Sequence, residues 1–113
     1  MKTIEIGGVL VIGAGPGGLA VSACLKKRGI HSTVLEQSNL IASSWHRHYD
    51  RLHLHTDKSH SNLPYWPFPK DAPRYPPRQM VVAYMEDYAR RFGIRPEFNQ
   101  KVIAARRDGP TWE

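Results

Sequence analysis

The sequence predicts an α/β fold: a Rossmann-like βαβ unit with a partial parallel sheet and the start of a β-meander. Three observations predict it. An apolar, β-branched run, Val9–Ile12, leads directly into glycines spaced Gly13-x-Gly15-x-x-Gly18. A segment of helical composition follows, ending at Gly29, and a second short apolar run ends at the acid Glu36. Strand, glycine turn, helix and strand in that order make a right-handed crossover between parallel strands.

Each element follows from its residues. Val9–Ile12 has the composition of a strand buried on both faces. Gly13 to Gly18 form the turn, and the helix runs to about Arg28 with Gly29 as a left-handed C-cap. His31–Glu36 is the second strand. From residue 37 to about 76 the pattern changes to a long loop rich in histidine, tryptophan and proline. The stretch NLPYWPFPKDAPRYPP excludes a helix, because its prolines lack N–H donors, and excludes a central strand for the same reason. A loop this long is normally functional. Pro77 suits a first helical position. Val81, Tyr84, Met85, Tyr88 and Phe92 then recur at helical spacing as one apolar stripe, and Gly93 ends that helix. IRPEF is a third strand with Pro96 at an edge or end. KVIAARR is a further strand, and DGPTWE begins a hairpin return.

Composition narrows the function. With 113 residues the chain is one domain, and 41% hydrophobic residues fit a globular protein. The formal charge is +6, which points to an anionic partner. The cations are scattered in short groups, Lys26-Lys27-Arg28, Arg90-Arg91 and Arg106-Arg107, two of them near predicted helix ends. No nucleic-acid partner is expected from that pattern, and no membrane partner, since no run approaches the ~20 apolar residues of a span. Cys24 is the single cysteine, so no internal disulfide forms, and its apolar surroundings suggest a buried packing thiol. No signal peptide is evident, and the expected location is cytoplasmic.

The glycine loop seats a pyrophosphate. Gly13 allows the tight turn, Gly15 lets the backbone approach the phosphates, and Gly18 lets helix and strand pack closely. The phosphates meet the free N–H groups and positive pole of the helix. Glu36, 18 residues past Gly18, can accept both hydroxyls of an adenosine ribose. Its charge repels a 2′-phosphate, which argues against NADP at this site. FAD and NAD share such a half-site. The aromatic loop after Glu36 favours FAD, whose isoalloxazine ring needs a flat, apolar wall, and Trp45 is the candidate to supply it; a loop anchor in the core is the alternative role.

His46, His48, His53, His55 and His60 lie within residues 46–60, with His53 and His55 on one strand face. No cysteine accompanies them and no zinc spacing is matched. They read as a polar loop around a cofactor, with no metal expected. No Ser-His-Asp or Cys-His arrangement is evident.

The stretches GAGPGGLAVSACLKKRGI, VLEQSNLIASSWHRHYDRLHLHTDKSHSNLPYWPFP and YPPRQMVVAYMEDYARRFGI resemble the N-terminal part of class B flavoprotein monooxygenases. The group includes the flavin-containing and the YUCCA-type indole-3-pyruvate monooxygenases. The similarity runs from about Gly8 to Glu113 and is greatest to the YUCCA-like branch. It implies FAD as cofactor, NADPH as reductant and insertion of one oxygen atom of O₂ into a small organic substrate. By position it implies FAD contacts at Gly13, Gly15, Pro16, Gly17 and Gly18, ribose binding by Glu36, and Gln37 at the adenosine edge. Trp45 matches the tryptophan beside the flavin, and Val102 a valine whose backbone holds the adenine. His55 stands where many relatives carry an asparagine, and Ala42-Ser43 where many carry Gly-Gly.

The resemblance also implies a second, NADPH-binding domain with its own glycine fingerprint, which these residues do not contain. Residues 1–113 therefore read as the N-terminal part of one FAD/NAD(P)-binding domain, with a missing C-terminal portion or partner chain, and as inactive alone. Two other readings remain: a non-catalytic nucleotide-binding module or split-protein piece, and another two-dinucleotide flavoprotein such as a disulfide reductase. The lack of a cysteine redox motif after Glu36 counts against the latter.

Overall fold

A computed structural model describes residues 3–113. The first strand, β1 (Val9–Ile12), pairs in parallel with β2 (Ser32–Leu35), in the register Val9 opposite Ser32 to Ile12 opposite Leu35. Between them runs α1 (Pro16–Lys27). The βαβ unit expected from the glycine spacing is therefore present. The turn is shorter than expected: Gly15 is the N-cap, so Pro16, Gly17 and Gly18 already lie in the first helical turn. Proline is at home there because its missing N–H would have had no helical acceptor. Gly29, at φ +72°, ends the helix in the left-handed region as expected.

The strand β1 is not buried on both faces. Only Val11 is buried, while Val9, Leu10 and Ile12 are exposed. Its one strand neighbour among the described residues is β2, so its second edge has no strand partner there.

The long loop folds around α3 (Arg78–Arg91). Pro77 is the N-cap in extended conformation, one position before the helix start expected of it. Val81, Tyr84, Met85 and Tyr88 are all buried, with Phe92 packed beside them, so the apolar stripe is the core of this half. The stripe holds the proline-rich segment by more than apolar contact. The Tyr84 hydroxyl accepts from the Leu63 N–H at 2.8 Å and donates to the Trp66 carbonyl at 2.5 Å. The Tyr88 hydroxyl donates to the Pro64 carbonyl at 2.8 Å. The Phe68 ring stacks on Tyr84 with centroids 3.9 Å apart. Tyrosine suits this task because its ring packs while its tip supplies the hydrogen bonds that a strand of prolines cannot make among themselves.

Two expected strands are corrected. IRPEF reduces to a single parallel bridge between Leu35 and Glu97. Glu97 donates to Val34 and accepts from Glu36, but Pro96 has no N–H to extend the ladder. Lys101–Arg106 form no strand, and Ile103 is 89% exposed. Arg106 exchanges both backbone hydrogen bonds with Glu113, at 3.0 and 2.9 Å, but no strand among the described residues pairs with residues 101–105, and a strand without a partner gains no ladder. Pairing resumes only in the expected hairpin, β3 (Arg107–Asp108) with β4 (Thr111–Trp112), which turns through Gly109 at φ +61°. A further short helix, α2 (Ser43–His46), lies in the segment read as loop. Cys24 is half-buried in α1 rather than fully packed.

Candidate functional site

The glycine turn sits at the carboxyl end of the parallel pair, where β1 runs into α1. Gly13 has φ +100°, and its N–H donates to the Leu35 carbonyl at 2.7 Å, binding the turn to the end of β2. A Cβ at Gly18 would lie 1.8 Å from the Gly13 carbonyl oxygen. Only glycine fits there, and the protein itself requires it. Gly15 and Gly17 are different. A Cβ on either would meet nothing within 4 Å. Their backbone is bare toward open space, which an approaching ligand can use.

The helix start has the electrostatics for an anion. No side chain caps it, and no acid lies in its first turn. The first-turn N–H groups have no intrahelical acceptors, and the helix dipole adds positive potential.

Glu36 is 6% exposed. One carboxylate oxygen accepts from the Ala14 N–H at 2.9 Å and the other from the Ser38 N–H at 2.8 Å. Burial pushes its pKa up, but the donors at Ala14 and Ser38 and the charge of Arg47 outweigh that, and it ends below its ordinary value. Each oxygen keeps a further lone pair for a ligand hydroxyl. The acid thus joins the glycine turn to the end of β2. Sequence spacing singled out Glu36 as a ribose candidate but not for this structural task, and it missed Ala14 and Ser38.

Trp45 lies on α2, half-buried against the core, with its ring edge-to-face on His48 at 5.2 Å. The α2 start is attached to the glycine turn: Ala42 donates to the Ala14 carbonyl at 3.0 Å. Ala42 is buried at φ +57°, a conformation glycine adopts without cost. The Gly-Gly to Ala-Ser departure seen in the sequence falls on this backbone. Gln37 and His55 are exposed and Val102 is half-buried. His55 follows Leu52–Leu54, a segment that runs beside Pro76–Arg78 through Leu54 N–H to Pro76 O and Arg78 N–H to Leu52 O. The turn, Glu36 and the α2 start are therefore one bonded unit, while Gln37, His55 and Val102 make no hydrogen bond to it. His60 bonds Asp57 instead, and the Asp57 carboxyl is held at about 2, chiefly by its hydrogen bonds from His60 and Ser59. Among the described residues, Nε2 of His46 and Nε of Arg78 are buried without a partner.

Residues 10–112 match the family model described as pyridine nucleotide-disulphide oxidoreductase. Indole-3-pyruvate monooxygenase YUCCA6 of Arabidopsis thaliana is 59% identical over 99 residues, which are 87% of this chain and 24% of that protein. Indole-3-pyruvate monooxygenase YUCCA4 of Oryza sativa is 46% identical over 98% of this chain and 26% of its own length. The chain thus spans about a quarter of the curated relatives it matches. Among solved structures, a flavin monooxygenase from Stenotrophomonas maltophilia superposes with TM-score 0.84 at 27% identity, covering 93% of this chain and 32% of that one. A bacillithiol disulfide reductase from Bacillus cereus gives the same TM-score, identity and coverage. The chain belongs to the pyridine nucleotide-disulphide oxidoreductase family, and its resemblance to YUCCA-type flavin monooxygenases is borne out.

Proposed function

We propose that this member of the family is the FAD-binding part of an NADPH-dependent monooxygenase acting on a small organic acid of the indole-3-pyruvate type. The bare backbone at Gly15, beside an uncapped helix start and a buried carboxylate, is the observation that carries the reading. In it, Gly13, Gly15, Pro16, Gly17 and Gly18 cradle the pyrophosphate, Glu36 accepts the ribose hydroxyls, and Gln37 and Val102 border the adenosine. Trp45 and His55 border the flavin. FAD, once bound, supplies the hydride acceptance and oxygen chemistry; the chain binds it, orients it and excludes water from one face. The names of the relatives support the substrate class, and the negative charge at Glu36 supports FAD over NADP at this turn. We read residues 1–113 as one part of an FAD/NAD(P)-binding, Rossmann-like domain, with reduction by NADPH assigned to a region outside them, in a cytoplasmic protein.

Titration of the chain with FAD, ADP and NADP⁺, followed by tryptophan fluorescence, tests this. FAD and ADP should bind and NADP⁺ should bind more weakly. Gly15→Ala should weaken FAD binding at least roughly tenfold, about 1.4 kcal/mol. It should leave the melting temperature nearly unchanged, because its Cβ meets no protein atom. Equal affinity for NADP⁺, or full FAD affinity in Gly15→Ala, would overturn the assignment.

A further inference from the structure

We propose that Arg78 is a positioning residue that holds Trp45 in place. Its position explains why. Arg78 is the first residue of α3, and three bonds leave it for three other points of the chain. Its backbone N–H donates to the Leu52 carbonyl at 2.8 Å. Its Nη1 donates to the His46 carbonyl, the last residue of α2, at 3.1 Å, and its Nη2 reaches the Asp50 carboxylate at 3.2 Å.

The segment between those points is the one that needs holding. A four-residue helix has no stability of its own, since a single turn barely offsets the entropy of forming it. The orientation of α2 is therefore set from outside. At its start the Ala42 N–H bonds the glycine turn; at its end the His46 carbonyl bonds Arg78. Trp45 lies between these two pins. The carbonyl bond is the stronger hold, because it is charge-assisted and the guanidinium is largely buried. The Asp50 carboxylate is 91% exposed, and a solvated pair of this kind adds little. The Arg78 Nε–H is buried without an acceptor. Removing the guanidinium thus relieves one desolvation cost while losing two bonds, so global stability is a poor gauge of its role. The geometry at Trp45 is the direct one. That Trp45 then serves as a wall for a flavin rests on the function proposed above; its positioning by Arg78 does not.

The test labels the chain with 5-fluorotryptophan and reads Trp45, Trp66 and Trp112 separately by ¹⁹F NMR, with the Trp45 signal assigned from Trp45→Phe. In Arg78→Gln the Trp45 resonance should shift or broaden while Trp66 and Trp112 stay in place. Arg78→Lys, which keeps one charged donor but not the fork, should restore the signal in part. Should Arg78→Gln fail to fold, Arg78→Lys carries the test, and a shift confined to Trp45 is again the expected result. An unmoved Trp45 signal, or all three moving together, would overturn the proposal. FAD titration of the same variants separates the two readings. Arg78→Gln should bind FAD roughly tenfold more weakly; unchanged affinity despite a displaced Trp45 would overturn Trp45 as a flavin wall, while its displacement upholds its positioning by Arg78. If the unmodified chain binds no FAD, the function proposed above fails, and the NMR result alone decides Arg78.

Discussion

Glu36, proposed above to accept a ribose, has a task in the fold as well. Its place just after the second strand was legible in the sequence, because the apolar run of that strand ends at Leu35. Its bonds to Ala14 and Ser38 were not legible, because backbone donors carry no residue signature. They have a consequence for pH. The native donors hold the carboxyl below its ordinary value, so the folded chain prefers the ionised form more than the unfolded chain does. The stabilisation is complete above the unfolded pKa of about 4.3 and drains away as pH falls through the lower native value. Glu36→Gln removes the charge and leaves one backbone donor facing an amide N–H₂. It should cost about 1–3 kcal/mol at neutral pH. It should also flatten the acid limb of the stability curve. Urea melts of both proteins between pH 3 and 7 check this, and parallel acid limbs would show that the Glu36 bonds do not form. Ala42 makes the complementary point. The sequence marked it as a departure, and only the backbone explains it: φ +57° at the start of α2 is where glycine would cost least.

Elements were legible where their own residues decide them and illegible where a neighbour does. The helix α3 could be read because five apolar residues on one stripe demand burial whatever lies opposite. The strand expected at residues 101–107 has equal local merit, but only its end at Arg106 and Arg107 finds a partner, in the hairpin with Trp112 and Glu113, and residues 101–105 join no strand. The short helix α2 was missed because four residues carry no period; its capping comes from the glycine turn and Arg78. For the same reason α3 does more than pack. Its tyrosine tips hold the Leu63–Trp66 segment, where Pro64 has no N–H to donate. Tyr84→Phe keeps the ring stack on Phe68 but strands the Leu63 N–H and the Trp66 carbonyl. It should destabilise the fold by about 1–3 kcal/mol and loosen this loop first. Limited proteolysis should cut between Ser61 and Lys70 faster in the variant, while the α1 region keeps its protection. Uniform protection in both proteins would mean the hydroxyl bonds contribute nothing to the loop.

At the scale of the molecule, two kinds of surface compete. The formal charge is +6, which keeps copies of the chain apart. Against it stands β1, a run of four apolar residues with one paired edge and three exposed side chains, Val9, Leu10 and Ile12. Exposed apolar side chains beside a free strand edge form a ready template for pairing. A longer chain, four times this length as in the relatives, would have the material to cover such a surface. The 113 residues alone should instead self-associate, and salt tells which force governs. If apolar contact drives association, added salt screens the repulsion and strengthens it; if ion pairs drive it, salt weakens it. Sedimentation velocity at rising protein concentration should therefore show association that grows from low to high sodium chloride. Leu10→Thr keeps a strand-forming, β-branched residue but trades exposed hydrocarbon for a hydroxyl. It should reduce association at every salt concentration while leaving the fold intact by circular dichroism. A chain that stays monomeric across the concentration range, or a Leu10→Thr variant that associates as before, would move the interface away from β1.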